Sequence, residues 1–115
     1  MKVNPLSHKA IESYLLIMPG VKLDYPFGES TAVYKVEDKM FALISDEKSP
    51  INISLKCDPL LSLTLQKKYE SVMPGYHLNK KHWITVVLTG QMPWNELKDL
   101  INLSYNLVIG DNFSK

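Results

Sequence analysis

The side chains best equipped for chemistry lie together in the run Pro74-Gly75-Tyr76-His77-Leu78-Asn79-Lys80-Lys81-His82-Trp83. Imidazoles ligate metals or move protons, lysines neutralise phosphates, and rings such as Tyr76 and Trp83 stack on bases. Each of these chemistries makes its own demand on spacing. A zinc site needs three or four ligands at recognisable intervals, and the chain has neither C-x-x-C nor H-E-x-x-H. His77 and His82, with non-helical residues between them, fit hydrogen-bonded side chains that pin a loop better than a metal site. No metal and no cofactor is expected. Catalysis by Cys57 as nucleophile with His82 as base requires the two to meet, which their spacing does not indicate. With no G-x-S-x-G, phosphate-binding loop or dinucleotide fingerprint either, the expectation is a protein that is not an enzyme.

Contact with nucleic acid uses the run most fully. Lys80-Lys81-His82-Trp83 sets cations beside stackable rings, and Lys56 ends a strand with a polar outer side, so Lys56, Lys80, Lys81, His82 and Trp83 form the candidate nucleic-acid set. All 13 basic residues are lysine and the net charge is +1. Arginine, the usual bidentate reader of guanine, is absent, so any DNA binding is expected to be weak, salt-dependent and poorly sequence-selective. A structural reading stands beside it, in which Pro74, Gly75, Tyr76, His77 and Asn79 form a clasp. Here Asn79 and His77 hydrogen-bond the backbone of Phe27-Gly28, and Tyr76 packs with Pro74 and Trp83. The open sheet face is then left to bind another protein or a small molecule.

Hydrophobic periodicity supplies the elements that position this run. Ile11, Tyr14, Leu15 and Met18 share one helical face, capped by Asn4-Pro5 or Ser7 and ended by Pro19-Gly20. Residues 24–28 read as an irregular extended piece. Strict alternation over 31–36 sends Ala32, Tyr34 and Val36 one way and Thr31, Val33 and Lys35 the other. Glu37-Asp38 makes a tight connection, with Asp38 suited to a left-handed conformation. Residues 39–45 are apolar on both sides, as in a central strand, and 51–56 alternates cleanly. Asp58-Pro59 starts a second helix with the stripe Leu61, Leu65, Tyr69 and Val72. Residues 83–89 form a further strand with Ile84, Val86 and Leu88 inward. A last helix begins at Pro93, carries Leu97, Leu100, Ile101, Ser104, Tyr105 and Val108 on its apolar face, and is capped by Gly110; 111–115 should fray.

The predicted order is α-β-β-β-α-β-α, an α+β, two-layer domain whose antiparallel sheet carries helices on one face. The other face would be polar and open, with Thr31, Lys35, Asn52, Ser54, Lys56 and Thr85. At 115 residues the chain is expected to be a single domain, 1–115, and its 45% hydrophobic and 22% charged residues are those of a soluble globular protein. No apolar run approaches the roughly 20 residues that span a bilayer, so no membrane partner is expected. A lone cysteine and no signal-peptide pattern fit a cytoplasmic protein.

Read together, several strings carry a family resemblance: Tyr25-Pro26-Phe27-Gly28, Val36-Glu37-Asp38-Lys39-Met40-Phe41-Ala42, Leu55-Lys56-Cys57-Asp58-Pro59, the run from Pro74 to Trp83, and Leu103-Ser104-Tyr105. In these the chain resembles the MmcQ/YjbR family of small bacterial proteins over nearly its whole length. Two positions depart from the family pattern: Asp38 stands where glycine is usual, and Leu78 where methionine is common. The resemblance implies a CyaY-like, "double wing" two-layer fold and a DNA-binding role, the latter assigned within the family by analogy of fold.

Overall fold

In a computed structural model, which describes residues 7–46, 50–76 and 78–110, the elements run α1 (His8–Leu16), β1 (Lys22–Asp24), β2 (Thr31–Val36), β3 (Lys39–Ser45), β4 (Asn52–Lys56), α2 (Pro59–Lys68), β5 (Val72–Pro74), β6 (Trp83–Val87) and α3 (Trp94–Gly110). The strands form one six-stranded sheet in the order β1-β2-β3-β4-β6-β5, and every pair is antiparallel. The α+β class and the helices on one face are as periodicity indicates. All three helices contribute to one core, where Ile11 and Leu15, Leu65, and Leu97, Ile101 and Val108 meet Tyr34, Ile44, Ile53, Leu55, Ile84 and Val86. Among the described residues no helix is long and apolar enough to cross a membrane.

Two short strands are additions to the predicted order. The 24–28 piece is preceded by β1, whose Leu23 pairs with Tyr34 at the sheet edge. The second helix ends earlier than its stripe suggests. Tyr69 leaves the helix with φ −129° and ψ 127°, and Val72 is buried from β5, paired with Val86. A helical stripe and a strand that happens to begin on the same face place an apolar residue at the same position, so the pattern at 69–72 is ambiguous by itself. Pro74, lacking a donor, is accommodated because β5 is an edge strand.

Helix starts follow their caps. The Ser7 hydroxyl accepts from the Ala10 amide at 3.2 Å, while Asn4 and Pro5 lie outside the described residues. The Asp58 carboxylate accepts from the amides of Leu60 and Leu61 at 3.0 and 3.2 Å, with Pro59 in the first turn. The β2–β3 hairpin turns on two left-handed residues, Glu37 (φ 53°) and Asp38 (φ 64°), the geometry that matches the twist of its strands. Near this turn the register slips between Tyr34 and Lys35, and Phe41 is passed over in the pairing. The bulge places both Phe41 and Ala42 in the core, which explains why β3 reads as apolar on both sides. Ser104, polar within the apolar stripe of α3, donates to the Phe41 carbonyl at 2.5 Å and is fully buried.

Candidate binding site on the open sheet face

The face opposite the helices is not the open polar surface that alternation suggests. Thr31, Ser45, Asn52, Ser54, Thr85 and Lys56 do share it by register. Among them, however, lie Val33, Leu43 and Trp83, a second apolar cluster against which Met40 and Leu78 pack. The 75–82 connection folds back over this face and covers part of it, so that Ser54 and Thr85 are buried.

Backbone geometry holds the connection down. The Gly75 amide donates to the Trp83 carbonyl at 2.9 Å, and a Cβ on Gly75 would sit 2.6 Å from Trp83 Cβ. Only glycine lets the two segments approach so closely. The Lys80 ammonium returns to the Gly75 carbonyl at 3.0 Å. Asn79 Oδ1 accepts from the amides of Lys81 and His82 at 2.9 and 3.2 Å, an Asx turn that fixes the end of the loop. The expected bond from Asn79 to the backbone of Phe27-Gly28 is thus replaced by one within its own loop, because an asparagine two residues before a free amide reaches it with less ordering. His77 lies outside the described residues. The Tyr76 amide donates to Thr85 Oγ1 at 2.9 Å, which anchors that residue across the sheet.

The clasp and the sheet enclose a pocket of about 300 Å³. Phe27 and Tyr76 form its rim, both at least half exposed; Leu78 is contributed by the 75–82 connection; Thr31, Leu43, Ser45, Asn52 and Ser54, which share one sheet face by register, form its floor. None of these eight lining residues is charged. Phe27 is presented by a turn in which the Gly28 amide donates to the Tyr25 carbonyl at 3.3 Å and Gly28 adopts φ 111°. On the floor, Ser54 and Thr85 hydroxyls are 2.8 Å apart. Thr85 is buried and already accepts from Tyr76, so the arrangement that leaves no buried proton idle has Thr85 donating to Ser54. The Ser54 proton then has no protein acceptor among the described residues, and Ser54 lines the pocket. Among the described residues the Asn52 side-chain amide takes no hydrogen bond from the protein.

The candidate nucleic-acid residues separate on this frame. Trp83 is 8% exposed and packed in the second apolar cluster, so its ring is not offered to a base; the stacking role expected of it is corrected by its burial. Tyr76, in contrast, is 52% exposed and packs at the pocket rim rather than in a small core with Pro74 and Trp83. Lys80 spends one donor on the clasp. Lys81 and His82 are exposed, and Lys56 lies opposite Trp83 in the β4–β6 ladder. Among the described residues none of Lys56, Lys80 and Lys81 is in an ion pair; Asp46 pairs with His8 and Glu96 with Lys68.

Cys57 and His82 are brought together after all. The Cys57 amide donates to the His82 carbonyl at 2.8 Å, and both residues, with Lys56 and Asp58, line a shallow depression beside Trp83. Contact does not activate the thiol. Burial, and then the charge of Asp58, push it up to about 11, and Asp58 is already engaged in capping α2.

The model of the YjbR family matches residues 16–107 of the chain. The chain belongs to the YjbR family. It is 43% identical over 102 residues to YbdF of Escherichia coli O157:H7, covering 89% of this chain and 84% of that protein. It is 32% identical over 96 residues to YjbR of Escherichia coli K12, covering 84% of this chain and 81% of YjbR. The crystal structure of protein DR2400 from Deinococcus radiodurans, domain DUF419, superposes with a TM-score of 0.90 at 36% identity, over 97% of this chain and 86% of that one. A Pseudomonas syringae crystal structure superposes with a TM-score of 0.76 at 32% identity, over 88% of this chain and 97% of that one. The six-stranded sheet with its helical layer is therefore the YjbR-family fold.

Alternation alone places Thr31, Asn52, Ser54 and Thr85 on one face of this YjbR-family sheet. It does not reveal Phe27, Leu43, Ser45 or Leu78 as pocket residues, because their meeting depends on two connections folding over the sheet. The one local signal is the conjunction of large aromatics with turn-forming glycines at Phe27-Gly28 and Gly75-Tyr76.

Proposed function

We propose that this YjbR-family protein is a non-enzymatic binding module that takes a small molecule in the pocket on its open sheet face. The observation that carries the reading is the pocket itself: exposed aromatics at its rim, Leu43 and Leu78 in its lining, and hydrogen-bonding groups on the sheet beneath. Mostly apolar concavities with a few placed polar groups are the usual form of ligand sites, and about 300 Å³ is the lower end of their ordinary range of roughly 300–1,000 Å³. Amide chemical-shift mapping with a mixed library of small neutral, anionic and aliphatic compounds tests it. Hits should cluster at residues 31, 43–45, 52–54 and 76–78, and Ser45→Phe, which fills the pocket, should abolish them. Hits that map elsewhere, or that survive Ser45→Phe, would refute the reading.

A second reading, contact with DNA, is favoured by Lys56 and His82 lining a depression beside Trp83 and by the exposed Lys81 next in sequence to His82, with no ion pair to either lysine among the described residues. With two or three phosphates neutralised, affinity should fall about 10- to 40-fold between roughly 50 and 200 mM salt. Fluorescence anisotropy with duplex and single-stranded oligonucleotides measures this. No binding at low salt, or binding unchanged by Lys56→Ala with Lys81→Ala, rules it out.

A further inference from the structure

Resting on the pocket reading above, we infer that the ligand is an uncharged, planar heteroaromatic ring of one or two fused rings, carrying an amide-like hydrogen-bonding edge. Three features of the pocket select this chemistry together. First, among the described residues no lining side chain is charged, so a carboxylate or phosphate placed there would lose its hydration with none of these side chains to replace it. Second, the rim presents Phe27 and Tyr76, which are 62% and 52% exposed. Exposed aromatic side chains at the edge of a cavity gain most from a partner that is itself a ring, in stacked or edge-to-face contact. Third, the floor carries Asn52, whose amide both donates and accepts, beside the Ser54 donor set by Thr85. A simple hydrocarbon would desolvate these groups and leave them unpaired. A ring whose edge holds an acceptor next to a donor satisfies them while its faces meet the rim.

The geometry orders the recognition. Asn52 and Ser54 lie on β4, held between β3 and β6, and so form the rigid reading edge. The rim lies on the two connections, with Tyr76 anchored through its amide to Thr85. Specificity is therefore expected in the edge and affinity in the stacking.

Three isosteric probes separate these contributions: nicotinamide, its anionic counterpart nicotinate, and the saturated cyclohexanecarboxamide. In amide-resolved titrations of the whole protein, nicotinamide should shift Leu43, Ser45, Asn52 and Ser54, while each of the other two should need at least about tenfold more compound for the same shift. Asn52→Leu should weaken nicotinamide at least about fivefold and leave toluene binding no weaker, with an otherwise native spectrum. Equal or tighter binding of nicotinate or of cyclohexanecarboxamide overturns the inference and leaves the pocket reading intact. If none of the three probes, nor hexanoate nor 1-octanol, shifts these amides, the pocket reading fails and the inference falls with it.

Discussion

Alanine at position 75 would place a methyl carbon 2.6 Å from Trp83 Cβ and 3.2 Å from both Leu78 Cβ and the Trp83 carbonyl oxygen. Unstrained carbon pairs sit about 3.5–4.0 Å apart, so roughly 1 Å of separation has to be found. Neither neighbour yields easily, because Cβ of Trp83 moves only with its backbone, which is held in the β4–β6 ladder. Overpacking of this kind costs about 1–3 kcal/mol. Loss of the bond from the Gly75 amide to Trp83 adds about 1 kcal/mol. The sum for Gly75→Ala is about 2–4 kcal/mol. With roughly 2.1 cal/mol/K of unfolding entropy per residue, each kcal/mol lowers Tm by about 4 °C in a chain this long, giving a loss of about 8–16 °C. Calorimetry on Gly75→Ala beside Gly110→Ala reads it. Among the described residues, its own helix backbone aside, no heavy atom lies within 4 Å of a Cβ on Gly110, whose φ is not left-handed, so that variant is the control. Tyr76 and Leu78 follow Gly75 directly, so ligand binding at the pocket should weaken with the same substitution. A Tm for Gly75→Ala within about 2 °C of the control would refute the claim that close approach of the backbone holds the clasp.

The remaining expectations concern single groups. Ser104→Ala removes the donor to the buried Phe41 carbonyl and should lower unfolding free energy by about 1–3 kcal/mol in urea titrations; an unchanged midpoint would show that the bulge carbonyl is satisfied otherwise. Asp38→Gly relieves a left-handed residue at φ 64° and should raise stability by about 0.5–1 kcal/mol in the same assay; a loss would mean that the Asp38 side chain stabilises the turn. Because burial pushes the Cys57 thiol up to about 11, iodoacetamide at about pH 8 should alkylate the native protein roughly a hundredfold more slowly than the urea-unfolded chain. The linkage has a definite sign: the folded state favours the neutral thiol, so this contribution is complete below the unfolded value of about 8.5 and is lost as pH rises toward the folded one. Equal alkylation rates would show that Cys57 is open to solvent as a thiolate.

The sequence by itself determined the two-layer α+β class, the inward faces of β2, β4, β6, α1 and α3, and the cap at Asp58, and its motif strings carried the resemblance to the YjbR family; between Asn4-Pro5 and Ser7 as the first cap it did not choose. The class, the inward faces and the cap follow from interactions local in sequence, since side-chain periodicity and capping hydrogen bonds each involve residues a few positions apart. What lay beyond it has a common cause. The two short edge strands form only because a neighbour offers a ladder, and Val72 reads equally well as helix or strand until Val86 is beside it. Ser104 looks misplaced in its stripe until the β3 bulge brings the Phe41 carbonyl to it. Trp83 reads as a stacking residue until Val33 and Leu43 bury it, and a polar sheet face becomes a pocket only when 75–82 folds across it. Tertiary structure decided these because each requires residues distant in the chain to meet, and a one-dimensional pattern carries the preference of a side chain but not the identity of what will cover it.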